Sequence, residues 1–145
     1  MLLCIFVQGA GEYSYPILRL SLAEFLNVAE NDLVGSLPTT IGQLSDLFLL
    51  DYTNNFLTGQ LPTTIGMLSA LTELLGGLNM QGGALPTELG QMVNLIGLDL
   101  DNNRFVGPIP TTIGNLLILG TVNSLSLSFY GASDSHLFLL CFQIR

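Results

Sequence analysis

Apolar residues recur through the middle of the chain in a fixed 24-residue phase. One unit places them at Leu47, Leu50, Tyr52, Leu57, Leu61, Ile65 and Leu68. The alternation around Leu50 and Tyr52 predicts a short strand with one buried face. The same slots are apolar in all four copies, except at Gly76 and Gln81 in the third copy. We therefore expect four stacked coils, of which the third is the most weakly packed.

Polar and turn-forming residues keep the same period. The repeated columns are Asn31, Asn55, Asn79 and Asn103; Gly35, Gly59, Gly83 and Gly107; and Pro38, Pro62, Pro86 and Pro110. Because one strand cannot bury its face alone, successive copies must stack as a parallel sheet. The Asn amide suits the turn after each strand, since it can satisfy backbone groups that the turn exposes. The four asparagines are thus predicted to form a structural ladder, and each proline to begin a short helical turn.

The consensus L-x-x-L-x-L-x-x-N-x-L-x-G-x-[LI]-P-x-x-[IL]-G-x-L resembles the leucine-rich repeat, and its G-x-[LI]-P segment is similar to the plant-type subclass. The resemblance implies an α/β solenoid, a right-handed horseshoe with a short parallel sheet on its concave face and short helical or 3-10 turns on its convex side. The clear repeats span 23–116. Degenerate flanking coils are expected over 1–22 and 117–145, which makes 1–145 a single domain.

Composition and charge exclude several classes of partner. The chain has eleven acidic residues, three arginines and no lysine, for a net charge of -8. It therefore lacks the basic patch that binding to nucleic acid requires. The longest apolar runs, at 2–7 and 137–142, are far shorter than the roughly 20 residues that span a bilayer. The first run also lacks the basic region of a signal peptide, so a truncated start or a buried strand is the preferred interpretation.

Candidate binding residues lie on the solvent side of the predicted strands. The tentative concave-face set is Glu24, Asn27, Glu30, Asp51, Thr53, Glu73, Leu75, Asp99 and Asp101. One interpretation is an acidic groove for a peptide, a cationic partner or a polar glycan. The other is a solvated surface that keeps the solenoid soluble. Phe25, Leu75 and Leu78 add exposed apolar groups that suit a protein partner.

No constellation of residues indicates catalysis, a metal or a cofactor. Asp99 and Asp101 point the same way, but Ca²⁺ requires more oxygen ligands, and glycoside cleavage requires apposed carboxyl groups. The run from Ser133 to His136 is too compact for triad geometry. Cys4 and Cys141 lie in opposite end coils, too far apart for a disulfide. The chain is predicted not to be an enzyme.

The leading hypothesis is a recognition fragment of a larger receptor-like protein that binds a protein or peptide partner on the concave face. The alternative is an assembly element that self-associates through apolar end coils. An imperfect or incomplete chain without its own function remains a third possibility. The resemblance alone implies a cell-surface or secreted location.

Overall fold

A computed structural model describes residues 23–116 and residue 119. Four short strands form the main sheet in the order β1-β3-β5-β7: β1 (Phe25–Asn27), β3 (Leu49–Asp51), β5 (Glu73–Leu75) and β7 (Gly97–Asp99). The apolar terminal runs and the flanking coils expected over 1–22 and 117–145 lie outside the described residues, apart from residue 119. The described residues form four coils.

All pairs in the main sheet are parallel and offset by one repeat. The central residues Leu26, Leu50, Leu74 and Leu98 stand opposite one another and are buried. The residues on either side of each central leucine are exposed or half-buried. This register confirms the strand phase that the alternation of apolar and polar positions predicted. We call the solvent side of this sheet the concave face.

Beside the main sheet lie two small parallel sheets that the repeat pattern did not predict. One pairs β2 (Val34–Ser36) with β4 (Phe56–Thr58), and the other pairs β6 (Gly82–Gly83) with β8 (Arg104–Phe105). Val34 pairs with Phe56, which is an offset of 22 residues and not 24. Because this stagger slides each coil two positions along its neighbour, comparing equivalent repeat positions does not reveal the pairing.

A five-residue 3-10 helix closes each coil on the side away from the main sheet, as the resemblance implied. The four helices are Thr39–Gln43, Thr63–Met67, Thr87–Gln91 and Thr111–Asn115. Each follows a proline whose extended backbone sets the direction of entry. Gly42, Gly66 and Gly90 allow close stacking, because a Cβ on any of them would overlap the backbone of the next coil. None of the helices in the described part of the chain has the length and apolarity needed to cross a membrane.

The asparagine ladder joins each turn to the coil before it. The Asn55 amide donates to the carbonyls of Tyr52 and Thr53 in its own turn and to Val28 of the preceding coil, at 3.0 to 3.2 Å. Its Oδ1 accepts from the Leu33 N–H at 2.9 Å. Asn79 and Asn103 repeat this pattern. Asn31 is exposed, and its amide donates to the carbonyls of Val28 and Ala29 in its own turn.

The third coil is not loosely packed, contrary to the prediction from Gly76 and Gln81. A Cβ on Gly76 would overlap the ring of Tyr52, which therefore fills the space that the missing side chain leaves. The Tyr52 hydroxyl donates to Oε1 of Gln81 at 3.1 Å, and both residues are buried. The ring of Tyr52 in the second coil thus occupies the volume that Gly76 leaves empty in the third coil; we call this the exchange of volume between adjacent coils. A polar cost remains, since Nε2 of Gln81 is buried with no hydrogen-bond partner.

Candidate functional site

The concave face is organised in rows that run across the strands. The row at the start of the strands contains Phe25, Leu49, Glu73 and Gly97, and the row at their ends contains Asn27, Asp51, Leu75 and Asp99. Just beyond the strands, main-chain bonds continue the ladder and hold Thr53, Gly77 and Asp101 in a third row. The parallel register brings five of the nine predicted site residues, namely Asn27, Asp51, Thr53, Leu75 and Asp99, onto neighbouring positions, with Asp101 at one end.

Three other predicted residues lie farther from this centre. Glu73 is exposed in the first row, between Leu49 and Gly97. Glu24 precedes β1, and its carbonyl accepts the N–H of Phe48 at the edge of the sheet. Glu30 lies in the turn after β1, at the end of the strand opposite Glu24. Glu24 and Glu30 therefore do not join the central group.

Hydrogen bonds hold several of the central polar groups in place. The Asn27 amide donates to one carboxylate oxygen of Asp51 at 3.2 Å, and the Thr53 N–H donates to the other at 3.1 Å. In the fourth coil the Asp101 N–H donates to Oδ1 of Asp99 at 3.0 Å. Such bonds to the backbone two residues ahead fix the direction of each carboxylate. The acidic groups are thus oriented by the turns that follow the strands.

The carboxylates of Asp99 and Asp101 converge over Gly77. A Cβ built on Gly77 would stand 2.8 Å from Oδ1 of Asp101 and 3.1 Å from Oδ1 of Asp99. Partial burial raises the pKa of the Asp99 carboxyl, and the nearby carboxylates of Asp101 and Asp51 raise it further, against the opposing effect of the Asp101 N–H bond. The fourth coil therefore keeps two acidic groups close together at one end of the described face, with Asp99 partly desolvated.

The position after the third row has a strained backbone in every coil. Glu30, Asn54, Leu78 and Asn102 all have φ between 50° and 56°. Asparagine tolerates this left-handed conformation, whereas leucine does so at a cost. Leu78 is also 49% exposed. Asn54 and Asn102 occupy two of the four positions and are the sequence signal for this left-handed conformation. The conformation was not predicted from the sequence.

Metal-binding capacity is limited on this surface. Among residues 23–116 and 119, no group of three or more His, Cys, Asp or Glu side chains is placed to hold a metal ion. Asp99 and Asp101 supply carboxylate oxygens from one side only, which suits a partner that brings its own hydrogen-bond donors.

Comparison with known proteins agrees with this geometry. The Leucine Rich Repeat family profile matches residues 94–116. The plant peptide hormone receptor RGFR1, solved in complex with RGF2, is 38% identical with a TM-score of 0.65 over 66% of this chain and 15% of its own. The described chain is a plant-type leucine-rich-repeat solenoid. The Arabidopsis receptor kinase HAESA, solved with the peptide hormone IDA and the co-receptor SERK1, is 34% identical with a TM-score of 0.65.

A similar leucine-rich-repeat fold also occurs in a protein that is not a receptor. A plant ice-binding protein is 32% identical with a TM-score of 0.62, over 64% of this chain and 30% of its own.

The HAESA match covers 66% of this chain and 16% of HAESA, so the chain spans less than a fifth of either receptor structure. No curated protein matches the sequence significantly. The fold alone therefore does not fix the ligand, which must be argued from the surface.

Proposed function

We propose that this solenoid is a non-enzymatic recognition module that binds a protein or peptide partner on its concave face, as part of a larger receptor-like protein at the cell surface or outside the cell. The observation that carries the proposal is the mixed character of the concave face. Oriented acidic groups at Asp51, Asp99 and Asp101 stand beside the apolar side chains of Leu75 and Leu78. Interfaces combine apolar contacts with directed polar ones in this way.

Two structural neighbours support a peptide or protein as the partner. RGFR1 was solved with RGF2, and HAESA with a peptide hormone and a co-receptor. The rigidity of the face also favours recognition. Each strand is bonded to its neighbours, and the turns are tied by the asparagine ladder, so little ordering is required on binding.

A tryptophan reporter tests the proposal, because the chain contains no tryptophan. Leu75→Trp places a fluorophore in the middle row of the concave face, and the exposed Met67→Trp places one at the end of a 3-10 helix. Short peptides are first selected from a random displayed library on the unmodified chain. We expect them to shift the emission of Leu75→Trp and leave that of Met67→Trp unchanged. A shift confined to Met67→Trp, or failure to select any peptide, would contradict the proposal.

The second candidate is assembly through the end coils, supported by the apolar runs at 2–7 and 137–142. A solenoid requires terminal coils with a polar outer side to stay soluble. Under this candidate the molar mass measured by light scattering rises with concentration, and the pair Phe6→Glu with Leu139→Glu lowers it without unfolding the middle coils. A chain that stays monomeric at high concentration would contradict assembly through the end coils.

A further inference from the structure

On the concave face, Gly77 lies beneath the place where the carboxylates of Asp99 and Asp101 meet. It is buried in the third row beside Asp101, and the absence of a side chain allows Oδ1 of Asp99 and Oδ1 of Asp101 to lean over its backbone. Both oxygens are within 3.1 Å of the point that a Cβ would occupy. A group that approaches this place from solvent therefore meets the two carboxylate oxygens, which lie directly over the Gly77 backbone.

The charge of the surroundings favours a cation at this pair of carboxylates. Residues 23–116 contain nine acidic residues and one basic residue, Arg104, a balance of 1 − 9 = −8 before histidine, of which this segment has none. Arg104 belongs to β8 in a small side sheet and not to the main sheet. Asp51 adds a further carboxylate across Leu75 from Asp99. A face of one sign attracts and orients a partner of the opposite sign.

Apolar side chains lie beside the same pair of carboxylates. Leu75 lies between Asp51 and Asp99 in the second row. Leu78 follows Gly77 and keeps a half-exposed side chain in a left-handed backbone conformation, where the second and fourth coils have Asn54 and Asn102. Lysine and arginine side chains match such a frame, because their aliphatic stems pack on apolar groups while their charged ends reach carboxylates.

We propose that the partner presents a basic peptide segment, and that one of its lysine or arginine side chains binds over Gly77, with its charged end on Asp99 and Asp101 and its stem against Leu75 and Leu78. This inference rests on the proposed recognition function, because it specifies the chemistry of the partner. It also accounts for a carboxylate at Asp99 that partial burial and neighbouring negative charges disfavour, since a bound cation offsets that repulsion.

Two variants of this place separate charge from shape. Asp99→Asn with Asp101→Asn removes both charges and keeps an oxygen acceptor at each site. Gly77→Ala keeps the charges but adds a methyl group that displaces the two carboxylates. The matched control is Asp46→Asn with Glu88→Gln, which removes two charges from residues outside the main sheet. Thermal unfolding of each variant verifies that it folds.

The probes are the peptides selected from a random library on the unmodified chain, with affinity measured by titration at low and high salt. We expect enrichment of lysine or arginine and weaker binding at high salt. We also expect a loss of about tenfold or more in affinity for the double asparagine variant, as befits lost charge-assisted hydrogen bonds. Gly77→Ala should weaken binding as well, and the control pair should leave affinity within about twofold, since distant exposed charges contribute little.

Two outcomes would overturn the inference in different ways. Peptides without basic residues, or peptides whose affinity is unchanged by the Asp99, Asp101 and Gly77 variants, refute the cationic partner. If such peptides still shift the emission of Leu75→Trp, recognition on the concave face stands. If they do not shift it, both the inference and the proposed function fail.

Discussion

Replacing Gly76 by alanine tests how adjacent coils share volume. The added Cβ would overlap the ring of Tyr52, which is 1% exposed. Overpacking of this kind costs about 1–3 kcal/mol, and we expect Gly76→Ala to fall in the upper half of that range. A loss of about 2–3 kcal/mol lowers the folded-to-unfolded ratio by about 30-fold or more, since about 1.4 kcal/mol corresponds to a factor of ten.

The next residue supplies a matched control. The atoms nearest to a Cβ on Gly77 are the carboxylate ends of Asp99 and Asp101, which can turn aside more easily than a buried ring, and the Asp101 carbonyl oxygen at 3.5 Å is an ordinary contact. Gly77→Ala should therefore change the free energy of unfolding by no more than about 0.5 kcal/mol. Urea denaturation followed by far-UV circular dichroism measures both variants, with the slope of the transition verifying that the two-state comparison holds.

A double-mutant cycle identifies the cause. Tyr52→Leu copies the apolar residue Leu100 at the equivalent position of the fourth coil. It opens a cavity in the unmodified chain but makes room for the methyl group of Gly76→Ala. The combined loss should be smaller than the sum of the single losses by at least about 1 kcal/mol. Additive losses, or a Gly76→Ala variant as stable as Gly77→Ala, would refute the exchange of volume.

Three further predictions concern the buried pair of Tyr52 and Gln81, the asparagine ladder and the carboxyl group of Asp99. Tyr52→Phe leaves Oε1 of buried Gln81 without its donor and should cost about 1–3 kcal/mol, whereas Tyr52→Phe with Gln81→Leu should be at least as stable as the unmodified chain in urea. Asn55→Ala removes the bonds of one ladder step and should cost about 1–3 kcal/mol, with Asp51→Ala costing less than half as much; equal losses would contradict the strand register. The raised pKa of Asp99 means that its charge opposes folding at neutral pH, so Asp99→Asn should raise the melting temperature there, with a gain that disappears as acid protonates the carboxyl; a gain that is independent of pH would count against this cause.

The repeat period was enough to predict the main sheet, the buried central leucines and the asparagine ladder. These features depend on equivalent residues meeting across coils, and a constant period of 24 residues makes them meet. The side sheets follow a different rule. Val34 meets Phe56 and not Thr58, its equivalent by period, because neighbouring coils slide by two residues there. No column of the sequence records that slide.

The site was predictable in its rows but not in its detail. The register placed Asp51, Leu75 and Asp99 side by side, as expected from their phase. The convergence of two carboxylates over Gly77 was not foreseen, because it depends on the side chain that this residue lacks. The packing of the third coil was misjudged for a related reason. A slot that appears empty within one repeat is filled by Tyr52 from the repeat before it.

Methyl NMR of the chain with a selected peptide tests most directly whether the concave face is the binding surface. Leu75 and Leu78 report on that face, and the exposed residues Met67 and Val93 report on the part of the coil within and just after the 3-10 helices. Addition of the peptide is expected to shift the methyl resonances of Leu75 and Leu78 and to leave those of Met67 and Val93 in place. Shifts confined to Met67 and Val93 would contradict the account.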